Sequence, residues 1–264
     1  MTAYAFTDTA TMLRRSLRRM RRYPSLTLFI AGLPVVLLLL FVYVFGGTMG
    51  AGLGPAAAGG RDAYLAYVVP GILLLTAAGA AQGTAISVAM DMTQGIVARF
   101  RTMAIARGSV LFGHVLASVI QTMLATALVV AVAVLIGFRP TTGPASWLAA
   151  AGIMALASLA VSWLSLALGM AANSVETASN SPMFLTLLPF LSSGFVPPDS
   201  MPGPLRWFAE NQPFTPINET LRGLLVGTPI GDSALRAVIW CLAISVAGYL
   251  WARRLYERDV RAKA

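Results

Sequence analysis

Lysine, histidine and cysteine are almost missing from this sequence, and each shortage removes a class of chemistry. The one lysine, Lys263, stands next to Ala264, so no G-x-x-x-x-G-K-[ST] phosphate loop can be written anywhere in the chain. The one histidine, His114, rules out multi-histidine metal sites and leaves a histidine–carboxylate catalytic pair without candidates; beside Gly113, at the head of an apolar run, it reads as a structural residue. Cys241 is alone, so it can make neither an intramolecular disulfide nor a thiolate cage, and its apolar surroundings suit a small packed hydrophobe. Charge itself is scarce, at 11% of residues against about a quarter in ordinary soluble domains. Carboxylates also avoid the middles of the apolar runs, with Asp91 and Glu176 at their ends, whereas ion-coupled carriers usually keep an ionisable group near the bilayer midplane. An ATPase built on a phosphate loop is excluded, and an ion-coupled carrier or an intramembrane enzyme is disfavoured. The energy for any transport is therefore expected from a partner. A subunit that anchors an ATPase without transporting is a further alternative.

What the chain has in abundance is apolar length. Of its 264 residues 57% are hydrophobic, and the mean hydropathy is +0.75, more apolar surface than one aqueous core can hide. Stretches of about 20 apolar residues suit membrane-crossing helices. Six are predicted, at about Thr27–Phe45, Tyr67–Met90, Val110–Phe138, Ser146–Ala171, Thr177–Val196 and Ala234–Trp251. Pro182 and Pro189 interrupt the fifth, which membrane helices tolerate when neighbours satisfy the freed carbonyls. The first run is long and lacks a small-residue cleavage site, so it is expected to be a mature span rather than a signal peptide. No repeat is visible, nor an inverted pairing of the two halves.

The formal charge of +9 does not point to nucleic acid, because of where the charges sit. Arg14, Arg15, Arg18, Arg19, Arg21 and Arg22 precede the first span; Arg99, Arg101 and Arg107 follow the second; Arg253, Arg254, Arg258, Arg261 and Lys263 follow the last, making 14 of the 19 basic residues. The excess of basic residues on the cytoplasmic side places both termini inside, in agreement with an even number of spans. Ahead of the first span, Phe6, Ala10, Leu13, Leu17 and Met20 share one helical face flanked by the arginines. That pattern predicts an amphipathic helix over residues 1–24, lying against membrane lipids and ended by Tyr23-Pro24, with the transmembrane domain over 25–264. A purely topogenic basic segment is the alternative.

Polar residues within the spans are neutral: Gln82, Thr84 and Ser87, then Ser118, Gln121 and Thr122, then Ser158, Ser162 and Ser165. Gly79 and Gly83 form a G-x-x-x-G pair, whose expected role is close helix packing. Seven prolines between Pro197 and Pro229 forbid one straight helix there. Thr215-Pro216 reads as an N-cap with proline at the first helical position, opening a short helix Ile217–Val226 that stops at Gly227.

Three stretches carry a family resemblance. The segment from Asp91 through Gly95, Arg99, Phe100 and Arg101 to Arg107 is similar to the D-x-x-x-G-x-x-x-R-F-R-x-x-P-x-x-R segment of ABC-2 type permeases, in particular those resembling daunorubicin/doxorubicin-resistance exporters; Ala104 replaces the family's usual proline. Phe190–Pro197 running on to Pro202, and Asn211–Pro216 followed by Leu221-Arg222-Gly223-Leu224, resemble further elements of that family. The resemblance implies an all-α polytopic fold of six spans with a cytoplasmic coupling helix and an extracellular re-entrant hairpin over Pro197–Pro229. It also implies a pair of permeases working with two ATP-binding subunits, which bind the ATP and Mg; no cofactor is expected in this chain. Gln94, Ile96, Arg99, Phe100, Arg101 and Met103 would form the coupling helix. Ile96, Phe100 and Met103 do fall on one helical face with Arg99 at its margin, which suits a groove-docked helix, although a solvated basic loop is the alternative reading of the same residues.

From these readings Gln82, Ser192 and Ser193 are expected to line a substrate path, Asp91 to pair with Arg99, and Gly95, Gly79, Gly83, Pro213, Thr215, Pro216 and Arg222 to be structural. The cargo class is left at hydrophobic or amphipathic, and the pair of permeases at identical or mixed. The near-replacement of lysine by arginine, with abundant alanine and glycine, suits a GC-rich bacterium.

Overall fold

The computed structural model describes residues 5–22, 24–52, 60–94 and 108–261. Among these every regular element is helical. Helix α1 is Ala5–Arg22, and α2, Pro24–Leu40, continues through a π-helical turn at Phe41–Phe45 into α3, Gly46–Gly52. Helix α4 is Gly60–Thr93, α5 Ser109–Leu135 and α6 Pro144–Ala171. Two short helices follow, α7 at Val175–Asn180 and α8 at Met183–Leu187, then α9 at Gly203–Asn211, α10 at Phe214–Val226 and α11 at Ser233–Arg261.

Five helical stretches among the described residues are long and apolar enough to cross a membrane: Ile30–Thr48, Gly60–Thr93, Ser109–Leu135, Pro144–Ala171 and Ser233–Glu257. They correspond to five of the expected spans. The stretch expected as the fifth is not one helix. It breaks into α7, α8 and a series of turns over residues 188–195. The cause is its pair of prolines. Pro182 and Pro189 each lack the N–H that would continue the ladder, and the chain turns at both.

Helix α4 is apolar all round, and 78% of its most apolar window is buried, so it forms the axis of the bundle. Helices α2, α5 and α11 bury only 28–33% of theirs and turn the remainder outward, as Leu33, Leu124, Leu235 and Val246 do. Three glycines mark close approaches to this axis and between its neighbours. A Cβ on Gly169 of α6 would lie 2.5 Å from the Ala85 carbonyl oxygen of α4. One on Gly71 of α4 would lie 2.7 Å from the Gly194 carbonyl, and one on Gly248 of α11 2.8 Å from the Leu164 amide of α6. At the end of the bundle nearest α1, Trp163 packs edge-on to both Phe112 and Tyr249, with ring centroids 5.1 Å away in each case.

Helix α1 lies along α5, and Met12 sits where a side chain on Gly113 would otherwise stand. Of the apolar face expected here, Leu13, Leu17 and Met20 are half-buried and Ala10 is exposed, while Arg14, Arg18, Arg21 and Arg22 point outward. At the opposite end, α10 begins at Phe214 rather than Ile217, with Pro213 at its N-cap position and no side-chain cap. Thr215 is therefore inside the helix. Its hydroxyl donates to the Ala209 carbonyl and accepts from the Ser193 N–H, so it joins α9, α10 and the preceding turns instead of capping. The predicted stop holds, because Gly227 takes φ +83°, a conformation that favours glycine.

Candidate functional site

A cavity of about 600 Å³ lies between α1, α2, α4, α5 and α7. Its size follows from small side chains on α4: a Cβ on Gly79 or Gly83 would meet nothing within 4 Å, and both residues line the space. No neighbour among the described residues of this chain packs against either position. The tight crossings use Gly71, Gly169 and Gly248 instead.

The cavity wall is neutral and polar along one strip. Gln82 donates from Nε2 to the Ser179 carbonyl at 2.9 Å, which ties α4 to α7. Thr84 and Ser118 hydroxyls lie 2.6 Å apart, and the Ser162 hydroxyl donates to Ser118 at 2.9 Å, joining α4, α5 and α6 in one buried chain. Gln121 reaches Thr27 at 3.5 Å, at the limit of a hydrogen bond. Met20, Ile30, Ile86 and Met90 supply the apolar remainder. Helix α7 is held at its start by Ser174, which accepts from the Thr177 N–H at 3.2 Å. The Ser174 hydroxyl, together with the backbone amide of Glu176, also holds the Glu176 carboxyl below the usual carboxylate range.

Charge enters at the rim. Asp91, buried near the end of α4, has a carboxylate oxygen 3.1 Å from His114 Nε2 on α5 and 3.8 Å from the Arg15 guanidinium on α1. Arg99, the partner expected from sequence, lies outside the described residues. In the sequence these three residues read separately, as a topogenic arginine, a span-end acid and a lone histidine. Nothing in the periodicity could bring them together, because each belongs to a different helix.

Of the expected path residues only Gln82 reaches this cavity. Ser192 and Ser193 are buried in the turns before α9. The Ser192 hydroxyl donates to the Pro189 carbonyl at 2.6 Å and accepts from the Gly194 N–H at 3.1 Å. The Ser193 carbonyl accepts from the Tyr67 hydroxyl at 2.9 Å and from the Arg222 guanidinium at 2.6 Å, and its hydroxyl accepts from Asn218 at 3.3 Å. Tyr67 and Gln82 are far apart on α4, about 22 Å at the helical rise, so these serines do not share the cavity's wall in this chain. Arg222 on α10 also donates to the Tyr67 carbonyl, at 3.3 Å. Gln94 ends α4 in a turn, its N–H donating to the Met90 carbonyl at 2.9 Å, while Gly95, Ile96, Phe100, Arg101 and Met103 lie outside the described residues. No group of histidine, cysteine and carboxylate side chains suited to a metal occurs among the described residues.

A polar-walled cavity inside an apolar helical bundle is the setting in which comparison with known proteins becomes informative. The family model described as ABC-2 type transporter matches residues 7–226. A daunorubicin resistance ABC transporter permease protein of Streptomyces coeruleorubidus is 30% identical over 227 residues, covering 86% of this chain and 77% of the relative. A probable doxorubicin resistance ABC transporter permease protein of Mycobacterium tuberculosis is 24% identical over 186 residues, covering 70% of this chain and 67% of the relative.

Proposed function

The chain belongs to the ABC-2 type transporter family, and from that premise we propose that it is the membrane-spanning permease subunit of an ATP-driven exporter in a bacterial plasma membrane, both termini facing the cytoplasm. Two permeases, taken here as identical, would work with two separate ATP-binding subunits that hold the ATP and Mg. The cargo is hydrophobic or amphipathic, a reading supported by the drug-resistance names of the relatives and by the apolar and neutral polar lining of the cavity.

The observation that carries the reading is the cavity itself. A space of about 600 Å³ lined mostly by apolar and neutral polar groups, with Arg15, Asp91 and His114 at one part of its wall, suits a guest of drug-like size, while the chain's one lysine, Lys263, cannot build a phosphate loop. In the sequence, the segment from Gln94 to Met103 lies between the helix that ends beside Asp91 and the helix that carries His114. A push on that segment would therefore be delivered to two walls of the cavity. Transport then requires the inward- and outward-open states to differ in affinity for the cargo.

Efflux of a panel of fluorescent amphipaths, doxorubicin included, tests the energy source. Cells carrying this chain with its ATP-binding partner are expected to lower cargo accumulation by about tenfold, an effect lost when the partner's phosphate-loop lysine is replaced. Efflux by this chain alone, driven by a proton gradient, would overturn the proposal.

A further inference from the structure

A second cavity, of about 230 Å³, lies in the half of the bundle away from α1, where α5 and α6 part over α4 and α10. Leu73 of α4 and Leu221 and Leu225 of α10 form its buried floor, and Met123 of α5 with Trp147 and Met154 of α6 its sides. No charged residue among the described ones lines it. Its mouth follows from small side chains. Ala127 on α5 and Ala151 on α6 line the space and are exposed, and a Cβ on the adjacent Gly152 would meet nothing within 4 Å. Between two membrane-spanning helices, that mouth faces the bilayer.

One polar atom here is left without a partner. Thr126 lines the cavity and is 6% exposed, yet its hydroxyl makes no hydrogen bond. The other buried threonines, Thr76, Thr84, Thr122, Thr215 and Thr220, each donate to a main-chain carbonyl. A buried hydroxyl left unsatisfied is destabilising. Water does not resolve it, because a buried water is held by about three polar groups, and beyond Thr126 only the Trp147 indole nitrogen is polar among the lining side chains.

We propose that this cavity binds an uncharged, lipid-soluble aromatic molecule of about two rings, carrying a ketone or ether oxygen that accepts from the Thr126 hydroxyl. The site goes beyond the export reading and shares no wall residue with the larger cavity; it requires only that α5 and α6 cross the bilayer. Size fits, since a dry cavity of about 150 Å³ already takes benzene. Met123 and Met154 bring polarisable thioethers to the wall and Trp147 an indole, surfaces that favour an aromatic guest over an alkyl chain.

Depth selects against phospholipid. Helix α5 has 27 residues, about 40 Å at the helical rise, so when centred on a hydrocarbon core of about 30 Å it extends about 5 Å beyond each edge. Thr126 lies about 13 Å from the Leu135 end, hence roughly 8 Å inside the core. Phospholipid esters sit at the edge of the core, too far out to meet the hydroxyl, and alkyl tails carry no acceptor. The partner that remains is an acceptor brought into the hydrocarbon on an apolar body, entering between Ala127 and Ala151.

Benzophenone, two rings and a ketone, is the probe, because on irradiation its carbonyl carbon bonds to a neighbouring C–H carbon. The full chain in lipid nanodiscs is irradiated with it, and adducts are mapped by mass spectrometry. Adducts at Met123 and Met154 are expected to exceed those at Met183, 58% exposed on α8, by about tenfold. Thr126→Val, which keeps the shape and removes the donor, should lower labelling at Met123 and Met154 by about tenfold and leave Met183 unchanged. Ala127→Phe, which fills the mouth, should do the same. Competition should need about tenfold more naphthalene than 2-acetylnaphthalene, the same rings with and without an acceptor. Equal labelling of the three methionines, wild-type labelling in either variant, or equal competition by the two naphthalenes would each overturn the proposal. No ATPase or transport enters the assay, so either result leaves the export reading where it stands.

Discussion

Replacing Arg222 with alanine is expected to destabilise the protein by about 3 kcal/mol, enough to lose most of the monodisperse material from detergent extracts. The guanidinium bridges three parts of the fold. It donates to the Ser193 carbonyl at 2.6 Å and to the Tyr67 carbonyl at 3.3 Å, and its central carbon lies 3.8 Å from the centre of the Tyr67 ring. Both carbonyls lie next to the crossing at which Gly71 of α4 meets Gly194, where the two backbones approach too closely to admit a Cβ. Hydrogen bonds to a charged donor contribute about 1.5–3 kcal/mol each, and a cation over a tyrosine face about 1 kcal/mol more. Lysine is not expected to rescue, since an ammonium cannot serve two carbonyls and cover a ring together. Arg206→Ala is the control. Arg206 also has short contacts, 2.6 Å to Asp199 and 2.7 Å to Glu210, but on an exposed surface where such pairs contribute about 0–1 kcal/mol. Thermal unfolding of the purified variants checks both, and an Arg222→Ala midpoint equal to that of Arg206→Ala would refute the assignment.

The second large effect separates glycines that look alike in sequence. Gly169→Val is expected to cost about 3 kcal/mol or more, because even its Cβ would lie 2.5 Å from a main-chain oxygen on α4 and the two most buried helices would have to move apart. Gly83→Ala is expected to change stability by less than about 1 kcal/mol in the stabilising direction, the helix-propensity gain of alanine, since its Cβ would meet nothing within 4 Å. Expression level and thermal midpoint distinguish the two. Equal loss from both substitutions would mean that Gly83 is packed in the membrane by another chain, restoring the G-x-x-x-G pair to a packing role between subunits.

The same two cases show which features are local and which are products of packing. Apolar length locates five of the long helices, and the Gly227 stop is legible because it rests on a local backbone property; Pro182 and Pro189 are visible too, but the span expected across them breaks into short helices and turns. Which glycines are crowded is not legible. Gly79–Gly83 carries the familiar spacing but faces a cavity, whereas Gly169 and Gly248, neither of them in a G-x-x-x-G pair, mark close crossings of the long helices. Thr215-Pro216 matches a capping pattern, yet the buried Ala209 carbonyl and Ser193 amide have the stronger claim on that hydroxyl. The rim cluster of Arg15, Asp91 and His114 draws on three helices, so no local pattern encodes it. Gln82 stands out because a long neutral amide is conspicuous in an apolar run; Ser87 and Gln121 are equally visible, but nothing in the sequence separates them from packing residues.

The most direct test of the central claim is co-purification from gently solubilised native membranes, comparing the tagged wild-type chain with Phe100→Asp. The account predicts that an ATP-binding subunit accompanies the wild type and that at least about tenfold less accompanies the variant, the loss expected if Phe100 is the aromatic anchor of the proposed contact. Recovery of well-folded chain with no ATP-binding subunit in either sample would contradict it.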